Sequence, residues 1–180
     1  MNAAELRSET VENKFTAADV LQILREHNWL LTDPAPEQTA WCERAAALLG
    51  VKSPDRAALE NLLSLIFHYE ARQILAGMDA HVVLSRYAAR DVVRKLANLL
   101  LETAPLTAER FNEIVEALKS ELEIRGRELF HPLRLALAGR SGEGELDRVV
   151  LLLDDAAATN FFAPVKSART RIIEFCCALD

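Results

Sequence analysis

Little in this chain favours sheets, disulfides or membranes. Only three of its 180 residues are cysteine, six are glycine, six are proline, and aromatics make up 6%. Cys42, Cys176 and Cys177 are too few and too unevenly spread for a disulfide framework. The neighbouring pair follows Ile172, Ile173 and Phe175 on an amphipathic stretch, so small buried thiols in a reducing compartment are expected. Apolar runs such as residues 149–153 fall far short of the ~18 residues that a membrane span requires. No basic N-terminal stretch leads into an apolar one, so a cytoplasmic chain without a secretory signal or membrane partner is expected. Positive charge is also short: 21 Lys and Arg against 27 Asp and Glu leave a net −6. That sign excludes a broad electrostatic grip on nucleic acid.

What is present is helical periodicity. Half the residues are hydrophobic (51%) and mean hydropathy is +0.04, an ordinary globular balance. The spacing predicts about eight helices: residues 16–27 opening on a Thr16/Asp19 capping box, 36–49 closed by Gly50, 54–76 opened by Ser53-Pro54, and 80–101. Then follow 107–126, capped by Thr107 and ended by Gly126, a short helix from Pro132 to Ala138 stopped by Gly139, and helices over 146–153 and 164–179. No segment alternates with period two. The expected fold is therefore all-α, with a seam near residues 103–107 between two small helical subdomains.

Catalytic and metal chemistry find no constellation. No glycine-rich phosphate loop with lysine occurs, and Gly142 and Gly144 stand among glutamates. His27, His68, His81 and His131 show no ligand spacing. Ser141 lacks a nucleophile elbow, and pairs such as Glu121 and Glu123 read as solvated faces. No catalytic residue, metal or cofactor is expected.

One charge pattern stands out. Arg86, Arg90 and Arg94 recur every four residues, which places them in a stripe on one face of the fourth expected helix. Such a stripe suits successive phosphates or the carboxylates of a partner, and equally a face paired by tertiary contacts. Arginine outnumbers lysine 16 to 5, as planar bidentate recognition would favour.

The string Gly126-Arg-Glu-Leu-Phe-His-Pro132-Leu133-Arg134-Leu-Ala136-Leu-Ala-Gly139 resembles a motif near the C-terminus of bacterial glutamyl-tRNA synthetases. That motif typically reads Pro-Leu-Arg-x-Ala-Leu-Thr-Gly; Ala138 replaces the threonine here. The resemblance covers about residues 107–154. It implies an all-helical anticodon-binding fold and tRNA, with tRNA-Glu as the reference case, as the partner. It also implies that Arg134 corresponds to an arginine contacting the anticodon and Leu146 to an apolar residue packed beside an anticodon base. Arg127 and Arg140 flank the motif as further RNA-binding candidates, and the Arg86, Arg90, Arg94 stripe would be a phosphate track. An arginine early on a short helix can aim its fork at a base or phosphate, or at Glu128 or another acid. Where the family has a small polar residue and proline, this chain has Glu143-Gly144-Glu145. Asp154-Asp155 also departs from the family's basic link.

The catalytic signatures of class I synthetases, of the His-Ile-Gly-His and Lys-Met-Ser-Lys-Ser types, are absent, so no aminoacylation is expected of these 180 residues. The reading is an N-terminal helical extension over residues 1–50, an anticodon-binding-like subdomain over 51–103, and a C-terminal subdomain over 104–180 carrying the motif. Met1 fits a free-standing relative and equally a segment of a longer protein. Two functions follow: a non-catalytic anticodon-arm binding module, working with a separate catalytic polypeptide, or a protein-interaction domain that kept the fold and lost RNA. The charge is unevenly spread, at −4 over residues 1–50, +1 over 51–110 and −3 over 111–180. RNA binding would thus have to be narrow, local and arginine-based.

Overall fold

The local signals of this chain produce helices throughout. The structure, a computed structural model, describes residues 12–102 and 104–180. Residues 1–11 of the expected N-terminal extension, and Thr103 at the expected seam, lie outside the described residues. Eleven helices occur among the described residues and no strand: α1 (Ala17–Glu26), α2 (Pro36–Gly50), α3 (Arg56–Phe67), α4 (Ala71–Ala76), α5 (Met78–Leu84), α6 (Ala89–Leu100), α7 (Ala108–Leu122), α8 (Arg127–Ala138), α9 (Glu145–Val150), α10 (Leu153–Ala158) and α11 (Ala168–Leu179). None of these is long and apolar enough to cross a membrane.

The all-α class is as the periodicity predicts, but eight helices become eleven because three of them break. The third breaks at residues 68–70, where His68 and Glu70 are extended. This turns Tyr69 inward, with its hydroxyl 2.5 Å from the Ala136 carbonyl and 3.2 Å from that of Arg171. The fourth breaks at residues 85–88, where Ser85 Oγ donates back to the Val82 carbonyl at 2.9 Å. The segment after Leu146 divides into α9 and α10.

Caps follow the same local logic, with shifts. Asp19 accepts from the Thr16 N–H at 2.7 Å, as expected. Thr107 caps α7, its oxygen accepting from the Arg110 N–H at 3.2 Å. Asp55, rather than Ser53, caps α3, accepting from the Ala58 N–H at 2.8 Å. Gly50 lies within α2 rather than beyond it. Gly126 does not end α7: left-handed Glu123 (φ 54°) does, and Gly126 (φ 59°) opens α8 instead. Gly139 (φ 89°) closes α8 through the expected left-handed exit, its N–H donating to Leu135 at 3.1 Å.

One hydrophobic core runs from Val20 in α1 to Phe175 in α11. At one end Trp29 stacks on Phe67 with centroids 4.6 Å apart, while Trp41 and Phe161 close edge-on. The centre is organised around α8, packed against α5, α6, α9 and α11.

The most buried charge in this core is Arg171, 0% exposed. Among the described residues it has no carboxylate partner. Its Nη1 donates to the Leu65 and Leu137 carbonyls at 2.9 Å each, Nη2 to Ile66 at 2.6 Å and Nε to Lys166 at 3.1 Å. The guanidinium also lies over the Tyr69 ring, 4.5 Å from its centroid. Leu65, Ile66 and Leu137 belong to the last turns of α3 and α8, so one cation satisfies orphan carbonyls at the negative ends of two helix dipoles. Arg171 is thus the pin that holds α11 against the end of the motif helix. Burial presses its pKa down to about 10, still charged at neutral pH.

Asp154, a departure from the resembled family, has a similar use. Its two oxygens accept from the Leu106 N–H at 2.7 Å and the Ala168 N–H at 2.9 Å, tying the segment before α7 to the start of α11.

The cysteines correct one expectation. Cys42 is buried and Cys176 half-buried, but Cys177 is exposed, because Ile172 and Phe175 face the core and turn it outward. Burial, with Glu43 adding to it, pushes the Cys42 thiol up to about 12. Burial also raises Cys176, with Asp180 and Cys177 adding. A thiol-specific disulfide reagent at pH 8 should therefore label Cys177 first and Cys42 only on unfolding. Labelling of Cys42 in the folded protein at the rate of Cys177 would contradict this packing.

Candidate nucleic-acid interface

The motif string folds almost wholly inward. Leu129, Leu133, Leu135, Ala136 and Leu137 are all fully buried, which explains why α8 tolerates Pro132 in its second turn: tertiary packing outweighs one missing hydrogen bond. Because the helix opens at Gly126 and not at Pro132, Arg134 is not an early residue. It sits in the last two turns and turns toward the following loop.

There its fork is occupied. Arg134 Nε donates to Asp147 Oδ1 at 2.7 Å, Nη2 to Asp147 Oδ2 at 2.8 Å, and Nη1 to the Gly142 carbonyl at 2.7 Å. The guanidinium rests on the Phe130 ring, 4.6 Å from its centroid, and only 7% of the residue is exposed. This bidentate pair joins α8 to α9 across the loop of residues 139–144. The same loop is held from the other side by α5, where Asp79 accepts from the Ser141 N–H at 2.7 Å and from its Oγ at 2.5 Å. Leu146 lies under the loop, 0% exposed, its Cδ1 close against Gly142. In this conformation neither the Arg134 fork nor the Leu146 side chain presents a face to solvent.

The other arginines fall into two groups. Arg86 reaches α8, where its Nη1 donates to His131 Nδ1 at 2.9 Å. Desolvation, then Arg86, Arg127 and Arg134, hold the His131 pKa below the ordinary range, against the opposing pull of Glu143. The imidazole thus adds no positive charge of its own beside Arg86 and Arg127, and Glu143 is the carboxylate nearest to the group. Arg140 starts the loop that Asp79 docks.

The expected stripe is corrected. Arg86 belongs to the turn before α6, so only Arg90 and Arg94 share that helix. Arg90 borders an open groove of about 360 Å³ with Leu84 of α5 and Leu179 of α11, and Arg94 lies close enough to Cys176 to oppose in part the rise of its pKa. The break at residues 85–88 turned Arg86 away from that line. Among the described residues Arg86, Arg90, Arg94, Arg127 and Arg140 make no ion pair, whereas Arg134 does.

Two features escape helical spacing. One is Asp147, thirteen residues beyond Arg134, whose pairing only the loop's return makes possible. The other is Tyr87, 100% exposed, in the turn next to Arg86 and beyond the exposed Met78 and Val82 of α5. An aromatic directly after an arginine, in a chain poor in aromatics, was the available signal for it.

Comparison with known proteins places this geometry in context. A family model described as "Anticodon binding domain" matches residues 17–156. The glutamate–tRNA ligase of Carboxydothermus hydrogenoformans is 31% identical over 105 residues, which cover 58% of this chain and 20% of the ligase. The ligase of Geobacillus thermodenitrificans is 30% identical over 69% of this chain and 25% of its own length. That of Exiguobacterium sibiricum is 23% identical over 85% of this chain and 31% of its own length. The chain thus spans about a fifth to a third of the length of the curated relatives it matches. No solved structure matches it at the same stringency.

Proposed function

This chain belongs to the anticodon-binding-domain family, and from that premise we propose that it is a non-catalytic module binding the anticodon arm of a tRNA, with tRNA-Glu the first candidate. The relatives named as glutamate–tRNA ligases support that choice of partner. The observation that carries the reading is the pair Arg86 and Arg127 beside His131 of the motif helix, with Arg140 at the other end of that helix, none of them in an ion pair among the described residues. Their charge is local, as a chain with net −6 requires. They supply phosphate contacts. Arg134 reads a base only by exchanging Asp147 for it, and Leu146 packs beside that base only when the loop lifts. Arg90 and Arg94, on α6 beside α11 and off the line of Arg86, are a separate pair of phosphate-contact candidates. Catalysis, if the module serves a ligase, resides in a separate domain or polypeptide.

Binding of purified tRNA-Glu, measured by fluorescence anisotropy over a salt series, tests the reading. Three cations on a single-stranded loop give a log–log slope near −2, at about 0.7 per neutralised phosphate. No binding at low salt would remove the RNA function. The second reading, a protein-interaction domain without RNA, is favoured by the sealed Arg134 fork and the exposed Met78 and Val82. It is the outcome left standing if binding is absent.

A further inference from the structure

We propose that Tyr87 is a stacking platform for an unpaired base, acting beside the Arg86–His131 pair; the inference rests on the RNA-binding reading above and names a residue that reading does not require. Aromatic side chains bury some 150–250 Å² when packed, so their ordinary place is the core. Of the eleven in this chain, Trp29, Trp41, Phe67, Tyr69, Phe111, Phe161 and Phe175 are in the core, and Tyr87 alone stands fully clear, at 100% exposure.

Its backbone is nevertheless fixed. The Arg86 N–H donates to the Val83 carbonyl and the Ala89 N–H to the Arg86 carbonyl, each at 3.2 Å. Val83, Ala88 and Ala89 on either side are buried. A rigid turn thus presents a ring with no partner among the described residues, and little order remains to be gained when a flat ligand covers it.

What covers it is decided by the neighbours. The adjoining Arg86 makes no ion pair among the described residues and is held by His131, with Arg127 and Arg134 close to the same imidazole and Glu143 the one carboxylate acting on it. An exposed ring in the turn that also carries Arg86, a cation without a carboxylate partner among the described residues, fits a nucleotide, whose base stacks while its phosphate meets the cation. A protein partner for Tyr87, Met78 and Val82 alone would leave those arginines without counter-charge.

The test uses the full chain with an anticodon stem-loop RNA carrying 2-aminopurine in turn at each loop position. One position should lose fluorescence on binding, and Tyr87→Ala should abolish that quenching. The same variant should weaken binding about tenfold or more, the range of one base–aromatic stack. Its salt slope should stay that of the parent, because no cation is removed, and Tyr87→Phe should bind as the parent does. Since the ring packs on nothing, both variants should melt at the parent temperature. Parent-like affinity and quenching in Tyr87→Ala would overturn the inference while leaving the RNA reading intact. Equal loss in Tyr87→Phe would assign the residue to hydroxyl hydrogen bonding instead, and overturn stacking. If the parent binds no stem-loop, both readings fall. Self-association of the parent by sedimentation velocity, lost in Tyr87→Ala, would assign the surface to protein contact.

Discussion

Replacing Arg171 with leucine is expected to lower the unfolding free energy by about 3–5 kcal/mol, the scale for breaking a buried charged network. The guanidinium makes four hydrogen bonds to carbonyls of residues 65, 66, 137 and 166. Leucine fills much of the volume but leaves those acceptors buried and unmatched, at roughly 1–3 kcal/mol for each that water cannot reach. Buried ion pairs are often replaced by apolar residues at no cost, because both charges go together. That route is closed here, since the acceptors are backbone groups that remain. Arg171→Lys should recover little, because one ammonium cannot span carbonyls that diverge from two helix ends. Urea unfolding followed by circular dichroism measures both variants. A loss below about 1 kcal/mol for the leucine variant would show that α11 is held by its apolar face alone. Against a domain stability of about 5–15 kcal/mol, the expected loss is a large fraction of the total.

The second large effect lies at the motif arginine. Arg134→Ala should destabilise by about 2–4 kcal/mol, since it leaves Asp147 and the Gly142 carbonyl without their donor in a half-buried site. Asp147→Ala should cost a similar amount, and the double variant less than the sum, with a coupling of about 1–3 kcal/mol. Amide exchange of residues 141–146 should rise in each, because the loop keeps only its Asp79 tether. The RNA readout separates structure from recognition. If Arg134 reads a base after giving up Asp147, its alanine variant loses discrimination between cognate and anticodon-swapped tRNA. Equal loss for both tRNAs would confine Arg134 to holding the loop. Arg86→Ala, in contrast, should weaken all tRNAs alike and shorten the salt slope by one cation.

These two arginines mark where the sequence is legible and where it is not. The motif string singled out Arg134 as a candidate for RNA contact, yet its partner in the fold depends on a loop returning α9 beside α8. Glu128 was the nearest acid by spacing; Asp147 is the one that geometry delivers. Arg171 looked like one basic residue among several near the C-terminus. Nothing local says that its side chain ends at two helix termini contributed by residues about a hundred and about thirty positions away. The helix breaks were missed for the same reason. Apolar spacing continues through Tyr69 and through Ser85, but the buried phenol and the hydroxyl that bonds back to Val82 favour a turn.

The sequence by itself determined the all-α class, the Thr16 and Thr107 caps, the left-handed exit at Gly139 and a net charge that confines any RNA contact to a patch. The charge is a sum over composition, and the others depend on contacts within about four residues, which helical geometry sets before any tertiary contact forms. The tertiary structure alone decided which arginines are spent and which are free. Arg134 and Arg171 are consumed inside the fold, while Arg86, turned aside by a helix break, comes to stand with Arg127 around His131, in the same turn that leaves Tyr87 exposed. The partner of a long charged side chain is chosen by whichever segment the core brings within reach, and that choice is written in packing rather than in spacing.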